Sequence, residues 1–437
     1  MSGWGGYPRV YCEERIPASE ADVFDAVWSG GTVPRGLGRS YGDAATLRGG
    51  RVLTLTDIGG YRSFDEQTGV LDCGAGVSLG DIVRDFAPRG WFPMITPGTK
   101  HVTVGGCIAN DVHGKAHHVQ GTFERCVESF RLLLADGRVV ECSRHDEPEL
   151  FYGCFGGMGL LGVVLSARVR LRRVETTWFR QRAIVARDLD ELLDEMARAD
   201  ASFPYSVANI DPFDTGARLG RGVLTVGDHA RADELPADRP PLKVSGPPRV
   251  SVPFELPSFL LNSLTARLVQ LVIRQVLARG APFAHYEKFF YPLDAIAHWN
   301  RGYGRRGFTQ YQFVVPLRDG PLHLRRILEA IAVSGDLPLL NVLKRMGPPG
   351  NGPLSFPFEG YTLAIDFPIR PGTAALVHRL DAMVLEAGGR VYLGKDALLR
   401  PETFAAMYPR LDEFRALKAR VDPKGVFTSD LAIRLAI

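Results

Sequence analysis

The stretch that most constrains the fold lies between Pro97 and His118 and reads PGTKHVTVGGCIANDVHGKAHH. It opens with a Pro-Gly-Thr turn signal, and the valines that follow predict a short buried strand end. Gly105 and Gly106 lack a Cβ, so we expect the chain to bend sharply there and to let a ligand approach the backbone. The exposed amides of such a bend suit a phosphate group or a polarised ring edge. The alternative is a glycine-rich turn between core strands, with histidines at the surface.

Two further glycine-rich turns flank this stretch, over residues 34–44 (PRGLGRSYGDA) and 156–162 (GGMGLLG). The spacing Gly36-x-Gly38-x-x-x-Gly42 differs from the dinucleotide fingerprint Gly-x-Gly-x-x-Gly, and no helical pattern follows it, so a Rossmann fold is not favoured. The free amides, the guanidinium and the hydroxyl of the first turn still suit a pyrophosphate. Three such turns in one part of the chain therefore favour a bound cofactor that carries a diphosphate.

The chain has 437 residues, which is more than one ordinary core can hold, so we expect two domains or more. The net charge of +3 gives no large basic field, and no nucleic-acid partner is expected. None of the six cysteines forms a CxxC pair, which indicates reduced thiols in a reducing compartment. The sequence shows neither a signal peptide nor an apolar run long enough to span a bilayer, so we expect a cytoplasmic protein.

Strand patterns and helix patterns mix along the chain, which is typical of an α+β protein. An Asp-Gly hairpin signal lies between two apolar runs at 127–143, and beyond residue 175 the glycines become fewer and the helices longer. We predict a first domain over 8–175, a second over 176–390 with a mobile Pro-rich loop near 231–285, and a C-terminal segment over 391–437 that returns to the first.

Two strand patterns in the second half carry polar residues that need an explanation. Residues 308–316 alternate, with Gln310 and Gln312 on one face and aromatic residues on the other. Residues 337–347 predict a further strand that places Lys344 among apolar neighbours.

The segment 258–279 (SFLLNSLTARLVQLVIRQVLAR) predicts a leucine-rich helix with three arginines and no acidic residue. The ordinary interpretation is a core helix with one face in water. The alternative is an interfacial helix that lies on an anionic membrane or contacts a lipid, which would make the protein peripheral at the inner face of the plasma membrane.

The motifs PRGLGRSYGD, PGT-x-x-VTVGG-x-I-x-x-DVHGK-x-HH, GG-x-GL-x-G and GGRVYLGKD together resemble one known family. The chain is similar to the FAD-dependent oxidases of the vanillyl-alcohol oxidase superfamily, and within it to the branch that oxidises a polyprenylphosphoryl ribose. The likeness runs from about residue 30 to the C-terminus and is weakest between residues 175 and 300. It implies a two-part PCMH-type FAD-binding domain and a substrate domain whose antiparallel sheet is covered by helices.

The resemblance also implies which residues bind FAD. The first glycine-rich turn would hold the pyrophosphate, the central stretch would line the isoalloxazine, and the third turn would approach the adenine side. The residues so assigned are Pro34, Arg35, Gly36, Leu37, Gly38, Arg39, Ser40, Tyr41, Gly42, Asp43, Ala44, Gly98, Thr103, Val104, Gly105, Gly106, Asn110, Asp111, Val112, His113, Gly159, Gly162, Val164 and Tyr392. Many superfamily members attach FAD to a histidine in the first turn; this turn has none, so we predict non-covalent FAD.

Oxidation of a secondary alcohol needs a base for the hydroxyl proton and a hydride acceptor for the adjacent C–H. Lys395 is our first choice for a polar contact to the reacting sugar, and if it is desolvated its pKa would fall and it could serve as base. His113 is the alternative base, or a donor that stabilises the reduced flavin. We predict Lys395, His113, Gln312 and Lys115 as catalytic residues. The residues predicted to bind substrate are Tyr41, Lys115, Ser206, Gln310, Gln312, Lys344, Ala364 and Lys395. No metal site is predicted, because the His117-His118 pair has no acidic or cysteine partner at ligand spacing.

The resemblance implies a specific reaction: oxidation of the 2-hydroxyl of decaprenylphosphoryl-β-D-ribose, or a similar polyprenyl-phosphate ribose, to the 2-keto form. A separate NADH-dependent short-chain reductase would then complete epimerisation to the arabinose form. A soluble alditol or aldonolactone oxidase of the same superfamily is the alternative, and a flavin-binding scaffold without turnover is a third. Two positions depart from the family pattern, namely Ala364, where a cysteine is usual, and Asn209, where a tryptophan is usual.

Overall fold

The computed structural model describes residues 1–27, 31–336 and 338–437. The helices in these ranges are α1 Glu20–Val27, α2 Leu79–Phe86, α3 Val104–Ala109, α4 His117–Gln120, α5 Pro148–Cys154, α6 Leu189–Asp200, α7 Ser263–Arg279, α8 Tyr286–Phe290, α9 Gly320–Ala332, α10 Thr373–Glu386, α11 Pro401–Met407, α12 Leu411–Val421 and α13 Asp430–Leu435. The strands are β1 Glu13–Arg15, β2 Thr32–Arg35, β3 Arg51–Thr54, β4 Tyr61–Asp65, β5 Val70–Gly74, β6 Trp91–Pro93, β7 Val127–Leu133, β8 Val139–Ser143, β9 Val163–Arg173, β10 Trp178–Ala186, β11 Tyr205–Ile210, β12 Gly222–His229, β13 Val250–Ser251, β14 Phe283–His285, β15 Ile296–Ala297, β16 Phe308–Pro316, β17 Asn341–Met346, β18 Gly360–Pro368 and β19 Arg390–Val391.

Two sheets form in the N-terminal part of the chain. Strands β1, β3 and β2 make a small parallel sheet, and β4-β5-β9-β7-β8 make an antiparallel one, with β6 added against β9. The long strand β9 buries Leu165, Ala167 and Val169 and exposes Arg168 and Arg170. This alternation is typical of a half-buried strand. The predicted hairpin is confirmed: β7 pairs with β8, and Gly137 takes a left-handed φ of 86° at the turn.

An eight-stranded sheet, in the order β14-β10-β12-β11-β17-β18-β16-β19, forms the second part of the molecule. Its strand β16 places Gln310 and Gln312 on one side and Tyr311 on the other, as the alternation predicts, and both sides are buried. Helix α10 lies on the Tyr311 side, where the tyrosine hydroxyl donates to Asp381 at 3.0 Å. Helices α6 and α9 also pack on this sheet, so the α+β class with a helix-covered antiparallel sheet is confirmed.

The backbone at the centre of the glycine-rich stretch differs from the prediction. We expected a strand end at Val104–Gly106, but these residues begin the short helix α3. The Thr103 side chain caps it by accepting from the Gly106 amide at 3.1 Å. A threonine N-cap followed by small residues outweighs the β-preference of the neighbouring valines. Gly105 lets the first turn approach Ala75, because a Cβ there would lie 3.1 Å from the Ala75 Cβ.

The predicted strand at 337–347 begins later, at Asn341, and its first position, Leu337, lies outside the described residues. The C-terminal segment contacts the start of the chain, because the amide of Thr32 donates to Val426 at 2.8 Å and that of Thr428 donates to Thr32 at 3.0 Å. Across the described ranges, no helix has both the length and the apolar character needed to cross a bilayer.

Candidate active site

A deep cavity runs between the glycine-rich turns of the N-terminal part and the face of the large sheet that carries Gln310 and Gln312. Twenty of the predicted cofactor positions and six of the predicted substrate positions line it, with Tyr41 belonging to both groups. These residues are Pro34, Arg35, Gly36, Leu37, Gly38, Arg39, Ser40, Tyr41, Ala44, Gly98, Thr103, Gly105, Gly106, Asn110, Val112, His113, Gly159, Gly162, Val164, Tyr392, Gln310, Gln312, Lys344, Ala364 and Lys395.

The glycine-rich walls of the cavity are tight. A Cβ on Gly36 would lie 2.2 Å from the Thr103 hydroxyl that caps α3, and one on Gly159 would lie 2.7 Å from the Pro34 ring. Gly159 also has a left-handed φ of 76°. Only glycine fits both positions, and three separate turns can therefore meet at one wall. At Gly98, by contrast, an added Cβ would meet nothing within 4 Å, so the backbone there borders open space.

The first glycine-rich turn carries a half-buried cation at its centre. The Arg39 guanidinium lies 3.8 Å from the centre of the Trp4 ring, and its buried Nε has no hydrogen-bond partner among the described residues. The nearby Arg35 donates from its Nη1 and Nη2 to the carbonyls of Ala45 and Ser2, each at 2.9 Å. Burial lowers the pKa of both arginines, which nevertheless stay charged. Two desolvated guanidinium groups beside free space suit an anion such as a pyrophosphate.

Lys395 belongs to a buried polar chain at the sheet end of the cavity. Its amine donates to Gln310 Oε1 and lies 4.1 Å from the centre of the Tyr41 ring. Gln310 Nε2 donates to Asp366 at 2.5 Å, and Tyr303 donates to the other oxygen of Asp366 at 2.8 Å. Burial lowers the pKa of Lys395 to about 7, although Asp366 opposes the shift, and burial raises the pKa of Asp366 to about 6.

His113 forms a second polar chain next to the first. The Thr362 hydroxyl donates to the Phe313 carbonyl at 2.7 Å, so its oxygen accepts from Gln312 Nε2 at 3.2 Å. The same Gln312 amide nitrogen lies 2.9 Å from His113 Nε2, which must therefore accept and carry no proton. Burial and the nearby Lys344 hold the pKa of His113 well below its usual value. The imidazole is neutral, with its proton on Nδ1.

Tyr392 connects the C-terminal segment to helix α3. Its hydroxyl donates to the Asn110 carbonyl at 2.8 Å, and its ring lies 5.1 Å from that of His113. The Asn110 side chain in turn donates to the Gly106 carbonyl at 2.9 Å. These contacts fix the tyrosine ring and the imidazole on one wall of the cavity, between the glycine-rich stretch and the sheet.

Lys344 projects from β17 into the same cavity. Burial alone lowers its pKa to about 8. Within the described part of the chain, its amine has neither a hydrogen-bond acceptor nor an acidic partner. An amine that lines a cavity without a protein counterion suits a ligand with negative charge.

Comparison with known proteins decides the family. The FAD binding domain family matches residues 17–143, and the D-arabinono-1,4-lactone oxidase family matches residues 307–435. The decaprenylphosphoryl-beta-D-ribose oxidase of Mycolicibacterium smegmatis is 39% identical over 416 residues, which cover 93% of this chain and 89% of that protein. The chain belongs to this family of FAD-dependent oxidases.

Two other proteins are also similar to this oxidase. A Streptomyces coelicolor protein described as an uncharacterized protein in mprA 5'region is 38% identical over 370 residues, covering 83% of this chain and all of that protein. Cytokinin dehydrogenase 2 of Arabidopsis thaliana is 30% identical over 148 residues, 33% of this chain and 29% of that protein.

The residues of the oxidase fit FAD. The wall of close-packed glycines leaves room for a flat ring and a diphosphate. The Arg39 Nε has no hydrogen-bond partner among the described residues and could donate to an anion. Arg35 and Arg39 would hold the pyrophosphate, while Tyr392 and Asn110 would lie along the ring system. The prediction of FAD is confirmed by the family. The non-covalent attachment stays a prediction.

Four predicted cofactor residues do not line the cavity. Gly42 packs against the chain after Lys395, where a Cβ would lie 1.7 Å from the Asp396 carbonyl. Asp43 forms an ion pair with Arg434 at 2.7 Å, a buried contact that joins the first turn to the C-terminal helix. Both residues therefore pack on the side of the turn away from the cavity. For Asp43 this is expected, because a carboxylate facing a pyrophosphate would repel it.

Val104 and Asp111 likewise serve the fold. Val104 is fully buried in the core. Asp111 has a left-handed φ of 42° and accepts from the Ser355 hydroxyl at 2.5 Å, and burial raises the pKa of its carboxyl to about 7. The aspartate therefore ties the glycine-rich stretch to residues of the second half of the chain.

Two predicted substrate residues also lie elsewhere. The Lys115 amine donates to the Phe289 carbonyl and lies 4.7 Å from the centre of the Phe289 ring, away from the main cavity. Burial lowers its pKa to about 7. Ser206 donates to Asp200 at 2.5 Å, and the same Asp200 oxygen lies 3.7 Å from His118. Lys115 and Ser206 border a neighbouring cluster, so this structure gives neither a contact with the cavity.

Among the residues of the site that the sequence analysis missed, four have aromatic or acidic side chains. Trp4 and Trp299 line the cavity, and their rings meet edge to face at 5.9 Å. Asp294, also in the lining, accepts from the Thr99 hydroxyl at 2.8 Å. Asp366 lies behind the cavity wall. Only Asp366 carried a usable signal, as an acidic residue at a core position of a strand pattern.

Proposed function

We propose that this oxidase converts the 2-hydroxyl of a polyprenylphosphoryl ribose to the 2-keto form. The observation that carries the proposal is the pair of half-buried lysines that line the cavity, where Lys395 has a protein acceptor and Lys344 has none within the described ranges. One amine suits a sugar hydroxyl and the other suits a phosphodiester. Bound FAD supplies the acceptor for the hydride that leaves the carbinol carbon.

Lys395 takes the hydroxyl proton in this mechanism. A pKa of about 7 leaves a large neutral fraction at physiological pH, which an ordinary lysine lacks. Its contact with Gln310 and the Tyr41 ring holds the nitrogen at one point of the cavity. His113 is the weaker candidate, since its depressed pKa makes it a poor proton acceptor and its Nε2 is already engaged with Gln312.

Gln312 and His113 position the sugar. The amide nitrogen of Gln312 is held by Thr362 and His113, so its carbonyl oxygen remains to accept from a sugar hydroxyl. The Ala364 methyl lies on the same face, because Ala364 is the register partner of Gln312 on the adjacent strand. An alanine at this point leaves more room than the cysteine usual in the family, and the pocket accepts a bulkier sugar or linker there.

A second candidate function rests on the family match at residues 307–435, whose name is D-arabinono-1,4-lactone oxidase. A soluble alditol or aldonolactone would use Lys395 and Gln312 in the same way, but it has no phosphate for Lys344. The charge at Lys344 therefore favours the lipid-phosphate substrate over the uncharged ones.

The test is anaerobic bleaching of the flavin absorbance. Purified holoenzyme is mixed with farnesylphosphoryl ribose, with its 2-deoxy analogue, and with free alditols and aldonolactones. We expect bleaching by the phosphoryl ribose alone. Bleaching by an alditol or a lactone at comparable concentration, with none by the phosphoryl ribose, would replace the first function by the second.

The chemistry of the product implies a partner. A 2-keto sugar becomes the epimer only when a hydride is delivered to the opposite face of the carbonyl. We propose that an NADH-dependent short-chain reductase does this, and that the pair works in the cytoplasm, at the inner face of the plasma membrane. Mixing oxidase, substrate, NADH and a candidate reductase should give arabinose-configured product, and the oxidase alone should give none.

A further inference from the structure

Helix α7 exposes a row of apolar residues, and the only residues that it buries are Ala266 and the polar Gln270. Leu264, Leu268, Val272 and Val276 recur at helical spacing and are 76, 59, 53 and 62% exposed. On the opposite side, Gln270 is 2% exposed. A helix that served only to cover the sheet would show the reverse pattern.

The neighbouring segments also carry exposed apolar residues. Phe254 and Phe259 precede the helix, and Val250 and Ile296 belong to the β13–β15 pair. The four residues on α7 adjoin one another at i, i+4 spacing, and a contiguous row of exposed apolar side chains marks an interaction site, whereas isolated surface leucines are common. We call these eight residues, four from α7 and four around it, the apolar surface.

The charged residues of helix α7 are all basic. Between Glu255 and Glu287 the sequence contains no acidic residue, while α7 carries Arg267, Arg274 and Arg279. Arg267 and Arg279 are exposed at the helix surface. Exposed apolar side chains flanked by arginines match the interface of a bilayer that contains anionic lipids, where the apolar groups enter and the cations remain at the headgroups.

The helix lies on the same face of the large sheet as the cavity. Gln181 of β10 donates to the Ala281 carbonyl just after α7, at 3.0 Å. Strand register places Gln181 on the same face as Ala364 in the cavity wall. The helix is also joined to the wall directly, because Gln270 donates to the Leu339 carbonyl at 2.5 Å, next to the cavity residue Leu340.

The other side of the apolar surface is joined to the cavity too. Arg301 donates from its Nη1 to the carbonyls of Val252 and Pro253 at 3.1 and 3.0 Å, and the Leu256 amide donates back to Arg301 at 3.0 Å. Arg301 lies in the same helical turn, Trp299–Tyr303, as the cavity residue Trp299. Hydrogen bonds of Gln270 and of Arg301 therefore connect the segments that carry the apolar surface to segments that line the cavity.

We propose that the apolar surface docks on an anionic lipid bilayer and presents the cavity to a lipid-linked substrate held in that bilayer. The inference takes the lipid character of the substrate from the proposed function. The docking itself is a property of the surface and is measured without substrate. A second copy of this chain is the competing occupant, and the test includes it.

The experiment is flotation of the holoenzyme with vesicles of phosphatidylcholine alone or of phosphatidylcholine with phosphatidylglycerol. We expect binding to the mixed vesicles and much less to the neutral ones. Leu268→Glu with Val272→Glu should lower the partition coefficient by more than about tenfold. Arg267→Gln with Arg279→Gln should lower it by about fivefold for each charge at low salt.

The matched control is Leu322→Glu with Val333→Glu, two equally exposed apolar positions at the ends of α9. The control should float like the parent, and all variants should oxidise a short-chain, water-soluble phosphoryl ribose at the parent rate. Absence of binding to anionic vesicles overturns the docking inference, as does equal loss in the control. A dimer in sedimentation that Leu268→Glu with Val272→Glu dissociates would assign the surface to a second copy. Failure of the short-chain oxidation would overturn the proposed function alone.

Discussion

Replacement of Asp366 by asparagine tests whether Lys395 is the base. Asp366 is fully buried and raises the pKa of Lys395 by its charge, through the bridging amide of Gln310. At a separation of ~7 Å and an effective dielectric of about 20, the interaction is worth about 2.4 kcal/mol, or about 1.7 pKa units. Asparagine keeps the shape, and its amide can still accept from Gln310 and donate to the Tyr303 oxygen.

The sign of the expected change follows from the base role. Activity rises with pH as Lys395 loses its proton, so the acid limb of the profile reports its pKa, about 7 in the parent. Without the carboxylate the ammonium form is less stable, and the limb should move to lower pH by between about 1 and 2 units. The assay is the rate of anaerobic flavin reduction at saturating substrate, measured across pH in a stopped-flow instrument.

The matched control is Asp381→Asn. Asp381 is also a buried carboxyl that accepts from a tyrosine hydroxyl, with a pKa raised to about 7 by burial, but it lies on the other face of the sheet. Its replacement should leave the acid limb in place. An unshifted limb in Asp366→Asn, or an equal shift in Asp381→Asn, would refute the assignment of Lys395 as base.

Three further outcomes are expected. Lys344→Met should raise KM for a phosphoryl ribose by about 10- to 100-fold, the value of a charge-assisted hydrogen bond, with little change in the limiting rate of flavin reduction; steady-state kinetics with Lys344→Arg as partial rescue checks this. Covalent inhibitors that need a thiol at position 364 should leave the mass of the parent chain unchanged, because none of its six cysteines lines the cavity, and should add to that of Ala364→Cys, as read from intact-protein mass spectrometry. Denaturation should release all flavin from the chain, and a flavin-bearing chain in a denaturing mass spectrum would contradict non-covalent binding.

Local patterns were sufficient to predict much of the fold and the site. The alternation in residues 308–316 placed Gln310 and Gln312 on one face because a strand leaves only two sides for its side chains. The motif around Lys395 placed that lysine beside the cavity. The error at Val104–Gly106 shows the limit: two valines favoured a strand, and a single capping contact from Thr103 made the segment a helix.

The residues that the sequence did not reveal are those whose role depends on distant neighbours. Trp4 lines the cavity only because its amide donates to the Ser40 carbonyl at 2.8 Å, which draws the start of the chain across the first turn. Asp43 is adjacent to cavity residues and yet pairs with Arg434, near the other end of the sequence. Glycine spacing describes a turn, but it does not say which side chains of that turn face the ligand and which face the supporting core.

The charges of the site explain why its two lysines differ. The carboxylate of Asp366 partly compensates Lys395, and that of Asp294 acts in the same way on Arg39. The pKa of Lys344 is lowered by burial alone, with no acidic group opposing the shift. Burial and the charge of Asp366 together set the proton affinity of Lys395, as a base requires, whereas Lys344 would find its counterion in the ligand. A substrate without a phosphate would leave that amine without a counterion, and this asymmetry is the strongest physical argument for an anionic substrate.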